Sequence, residues 1–130
     1  MTRPISVPIS PGELLDKLSI LEIKIERIGD PHKRANVERE HDLLTGLWHS
    51  EAGETQEITR LRAELKTINE QLWAIEDEIR DCERHQNFGD RFVELARSVY
   101  KTNDRRAALK REINEQLGST ILEEKSYAEY

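Results

Sequence analysis

Ten side chains on two segments have the types and spacing of a polar binding site: Asn69, Trp73, Glu76, Asp77 and Arg80, then Tyr100, Asn103, Arg106, Lys110 and Asn114. Within each segment most fall three or four residues apart, the spacing that puts side chains on one stripe of a helix. If the two stripes face each other, they enclose a polar groove. Trp73 would be its wall, and Ala96 and Ala107 on the second stripe would leave room. Carboxylates enclosed there need cationic partners, which Arg80, Arg106 and Lys110 can supply to Glu76. Asparagine is a poor residue mid-helix, so three of them beside an apolar seam point to hydrogen-bonding work. Such a groove suits a small polar or anionic ligand. The competing reading is a solvated face of weak ion pairs, with Trp73 only packing.

Other chemistry is poorly supplied. Glu38 and His41 have the Glu-x-x-His spacing of a bundle di-iron site, but no second such motif accompanies them. There is no zinc-type Cys/His set, no phosphate-binding glycine loop and no nucleophile motif. Cys82 falls on an apolar seam and reads as an inert packing residue. The sequence names no cofactor and no catalytic residue, and gives no expectation of a metal.

The elements that must position these residues are helices. Residues 1–9 read as an extended arm, because Pro4 and Pro8 disfavour helix while Ile5, Val7 and Ile9 alternate. The arm either packs on its own domain or is lent to a second subunit. Ser10-Pro11-Gly12-Glu13 is a capping box that opens a helix over 10–28, with Leu14, Leu18, Leu21, Ile25 and Ile28 as its seam. Gly29 should stop it. Asp30-Pro31 opens a weaker helix over 31–49, and a polar linker follows. A third helix spans 55–85, with Ile58, Leu61, Leu65, Ile68, Leu72, Ile75, Ile79 and Cys82 in unbroken coiled-coil-like spacing.

Asn87-Phe88-Gly89-Asp90 is turn chemistry, with Asp90 as the expected N-cap of a fourth helix over 90–117. The seam of that helix passes through two polar residues, Thr102 and Arg106, so a kink is expected at Asn103-Asp104. Gly118 should end it. Within the tail 118–130, Thr120 and Glu123 have the spacing to cap one last helical turn. A short connection forces the third and fourth helices antiparallel. The expected fold is a single all-α domain over 1–130: a long helical hairpin crossed by two shorter helices. Two short helices cannot cover so long a seam, and a homodimer is the inferred remedy.

Composition bounds the partners. The chain has 130 residues, a net charge of −6, 35% charged residues and 5% aromatics. The negative charge argues against nucleic acid as a partner. No apolar run approaches the roughly 18–20 residues of a membrane span. One cysteine excludes an internal disulfide, and the N-terminus lacks a signal-peptide core; both fit a cytoplasmic protein.

The segments VPISPGELLDKLSILEIKIERI, NEQLWAIEDEIR, FVELARSVYKTNDRRAALKREIN and GSTILEEKSY together cover most of the chain. In them the sequence resembles a small bacterial helical family, a domain of unknown function. Leu72-Trp73, Glu76-Asp77, Arg80, and Asn103 with Arg105 are similar to the LW-x-x-ED-x-x-R and N-x-R segments of a second such family. Members of both tend to lie beside glycosyltransferase and envelope-polysaccharide genes. The resemblance therefore implies a setting in glycan assembly, with no catalytic residues to carry over. The leading expectation is a helical binding or accessory protein. The alternatives are a small all-α enzyme, chorismate-mutase-like or nucleotide-pyrophosphatase-like, and a pure dimerisation scaffold.

Overall fold

A computed structural model describes residues 3–51 and 53–130. Four α-helices follow in order: α1 (Pro11–Arg27), α2 (Pro31–Glu51), α3 (Gln56–Arg84) and α4 (Asp90–Gln116). Among the described residues there is no strand. The fold is all-α and bundle-like, built on the antiparallel α3–α4 hairpin. Its turn is closed by Gln86 in the left-handed region (φ 53°) and by the Asn87 amide donating to the Cys82 carbonyl at 2.8 Å.

The layering differs from expectation. α1 packs against all three other helices, whereas α2 packs on α1 and does not cross the hairpin. The reason is the apolar content of α2, which buries only Trp48 and leaves Leu43 and Leu47 exposed. α1 is thus the middle layer and buries Leu14, Leu15, Leu18, Leu21 and Ile23. Trp48 reaches past it into a core with Leu15, Leu18, Ile58, Leu61, Leu65 and Ile113.

The start of α1 is fixed twice. Ser10 Oγ accepts the Glu13 amide at 3.2 Å, and Asn114 Oδ1 on α4 accepts the Gly12 amide at 2.7 Å. Two of the four orphan amides of a helix start are satisfied in this way. Gly12 has to be glycine, because a Cβ there would lie 2.5 Å from the Lys110 carbonyl oxygen.

Several local expectations are corrected. α1 ends at Arg27 with an extended Ile28 as its C-cap, and Gly29 does not take the left-handed turn. Gly89, not Asp90, is the N-cap of α4, and no side chain caps it. α4 runs unbroken through Asn103-Asp104, because Thr102 and Arg106 meet polar partners and need no kink. No helical turn forms at Thr120–Glu123. The arm does not pack on its own domain: Ile5 is 90% exposed and Val7 65%. Its first two residues, like Ala52 of the linker, lie outside the described residues.

α1 is too short to follow the hairpin to its tip. It ends beside Glu70 and Trp73, where Arg27 sits 4.0 Å from the carboxylate and 5.9 Å from the indole centre. The seam is accordingly buried at Ile58, Leu61, Leu65 and Ile68, and only half-buried at Leu72, Ile75, Ile79 and Cys82.

Candidate functional site

The site begins with a carboxylate where none was expected. Asp16, on α1, is 1% exposed. Taking a charge out of water costs several kcal/mol unless it is paired and hydrogen-bonded. Two residues supply this. Arg106 of α4 donates from Nε to Oδ1 at 2.9 Å and from Nη2 to Oδ2 at 2.5 Å. Asn69 of α3 donates from Nδ2 to Asp16 Oδ1 at 2.8 Å and to Ser19 Oγ at 2.7 Å. The hydroxyl of Ser19 in turn donates to the Asp16 carbonyl at 2.8 Å. Three helices are pinned at one point. The bonds to Asp16, set against the cost of burial, raise the pKa of Arg106 above its ordinary value.

One turn further along α4, Lys110 is buried between two carboxylates, Glu13 of α1 at 2.8 Å and Glu123 of the C-terminal tail at 2.9 Å. Burial opposes the ammonium charge, but the two hydrogen-bonded carboxylates outweigh it and raise the pKa. The Glu123 carboxyl is held below its usual range by Lys110. Asn114, one more turn along, is consumed in capping α1.

Beside the Asp16 network a cleft of about 490 Å³ opens between α1, α3 and α4. Ile20, Ile23 and Leu72 give it apolar surface, and Trp73 lines it next to them. Asn69, Asn103 and Arg106 supply polar groups, with Glu76, Asp77 and Arg80 completing the lining. Glu76 and Arg80 form an exposed ion pair one turn apart.

Polar capacity is left over toward this space. Asn69 Oδ1 and both amide atoms of Asn103 have no protein partner among the described residues, and since no buried side-chain atom there is left unpartnered, they are open to the cleft's solvent. Arg106 spends Nε and Nη2 on Asp16, and its Nη1 has no partner among the described residues. Each is a group that a ligand could satisfy.

Asn69, Trp73, Glu76, Asp77, Arg80, Asn103 and Arg106 of the expected groove therefore line one cleft. The other three do not. Lys110 and Asn114 are buried in helix-to-helix bonds, and Tyr100 turns away to stack edge-on against Tyr130 at 5.2 Å. The expected charge balance is also rearranged: Arg106 and Lys110 neutralise α1 carboxylates, and only Arg80 serves Glu76. Asp16 and Ser19 were missed by sequence reasoning, since an Asp next to Lys17 looks like a surface residue. Among the described residues no group of three or more His, Cys, Asp or Glu could hold a metal ion. His41 lies near Glu22 and Asp42, at 3.8 and 3.9 Å, not in a ligand cluster with Glu38.

A family model of unknown function, DUF6165, matches residues 5–130. The chain belongs to this family. The DUF6165 match takes in all four helices and every residue of the cleft. No curated protein and no solved structure matches the chain significantly. No helix among the described residues is long and apolar enough to cross a membrane.

Proposed function

We propose that this DUF6165 protein is a binding or accessory protein, not an enzyme, that holds a small hydroxyl-bearing ligand in the α1–α3–α4 cleft. The envelope-glycan setting comes from the family resemblance, and the ligand chemistry from the cleft. The observation that carries the reading is the row of unspent donors and acceptors at Asn69, Asn103 and Arg106 beside the Trp73 indole. Amide and guanidinium groups offer both hydrogen-bond senses, as hydroxyls require. An indole and three aliphatic side chains offer a surface for the C–H face of a ring. Charge argues against a multiply charged anion. Glu76 and Asp77 balance Arg80 and Arg106 in the lining, and both guanidiniums already have carboxylate partners.

The test is a binding screen of neutral sugars, nucleotide sugars, sugar phosphates and dicarboxylates, read by thermal shift and calorimetry. A hydroxyl-rich compound should raise Tm, and a ligand at a hundred times its Kd would stabilise the fold by about 2.7 kcal/mol. Trp73→Ala and Asn103→Ala should abolish that gain, since neither residue holds the core. Absence of binding across the panel, or binding untouched by both substitutions, would overturn the reading.

A further inference from the structure

The hairpin has a second open face. α1 lies on one side of α3–α4 and α2 lies on α1, so among the described residues no helix covers the opposite side. There the two helices flank a groove of about 530 Å³, on which Ala63, Thr67, Ile68, Ala108 and Leu109 give a mainly apolar surface. We infer that a second copy of this chain docks on this face, giving a two-fold dimer of hairpins. This inference is independent of the ligand reading.

Charge selects the occupant. At one end of the groove sit Glu64 and Glu112, with Arg60 and Glu57 beside them. Arg60 already binds Glu57 and Glu64, and only grazes Glu112 at 3.9 Å. At the other end sits Arg105, two helical turns from Glu112, with neutral partners only: Gln71 at 3.4 Å and Thr102 at 3.3 Å. Among the described residues no carboxylate lies within ion-pair distance of Arg105. A two-fold axis through the middle of the face exchanges its ends, so Arg105 of each copy meets the glutamates of the other. That self-complementarity is what an isologous interface demands. The small residues at the centre allow the helices to approach closely. A stable complex needs roughly 800 Å² per partner, so the contact must extend along the hairpin beyond the two turns that line the groove.

The test is sedimentation of the full chain over a range of concentrations. A dimer of the 15.2 kDa chain is expected. Ala108→Glu should convert it to monomer with its circular dichroism unchanged, because that side chain is exposed in the monomer. Arg105→Glu should weaken dimerisation at least tenfold, and Arg105→Glu with Glu112→Arg should restore it, a rescue that a merely structural defect would not show. A chain that stays monomeric at all concentrations overturns the inference. So does a dimer indifferent to these changes but lost when the arm, residues 1–9, is deleted.

Discussion

At the scale of single residues, the molecule turns on Asp16. Its carboxylate is the common acceptor for Arg106 and Asn69, so each of those side chains is oriented by it. Asp16→Ala would leave a half-buried guanidinium and a buried amide without their partner. Breaking such a buried pair costs about 3–5 kcal/mol, and a urea denaturation series should record that loss. Asp16→Asn keeps the volume and one acceptor, and should lose less. The Lys110 pair predicts a pH dependence. The folded pKa of Glu123 is lowered, so its contribution is present above the ordinary value of 4.5 and is lost as pH falls through the lower folded value. The pKa of Lys110 is raised, so its contribution is complete below 10.5 and is lost only as pH rises past the folded value. The tail should therefore stay docked across neutral pH and come free in acid. An NMR pH titration following the side chains of Lys110 and Glu123 measures this directly, and Lys110→Met should release the tail around Glu123 at pH 7 while Arg111–Glu124 and Tyr100–Tyr130 still hold its remainder.

At the scale of elements, the close crossing of α1 and α4 is the most demanding joint. Gly12→Ala would drive a Cβ into the backbone of Lys110, where no side chain can give way, and overpacking of this kind costs about 1–3 kcal/mol. Asn114→Ala would strand the buried Gly12 amide at a cost of about 1–3 kcal/mol. Thermal unfolding of each variant checks both. The helices themselves were readable, because caps and seams are local: the Ser10 box, the 3-4 spacing of α3 and the stop at Gly118, with φ 63°, are written in neighbouring residues. What was misread depends on partners far along the chain. Thr102 and Arg106 interrupt the α4 seam, which by itself suggests a kink. Their partners are Arg105 and, ninety residues away, Asp16. Of the three asparagines, Asn69 and Asn114 do the hydrogen-bonding work their mid-helix positions suggested, whereas Asn103 has no partner among the described residues. Asp16 carried no such signal, because only its place in a helix packed on two sides makes it buried.

For the whole molecule, the layering α2 on α1 on the hairpin explains both open surfaces. α1 stops at Arg27, so the cleft lies beside its second half and the hairpin extends beyond it. One uncovered face carries unspent polar groups and the other an apolar groove, which suit a ligand and a protein respectively. The two tryptophans report on these regions separately, since Trp48 is buried in the core with Nε1 bonded to Glu54 at 3.1 Å, while Trp73 lines the cleft. An NMR titration with the sugar panel, following the two indole N–H signals, is therefore the most direct trial of the cleft. A shift of the Trp73 signal and of the Asn103 side-chain amide, with Trp48 unmoved, is the expected result. Trp73 and Asn103 standing still through the whole panel would contradict it.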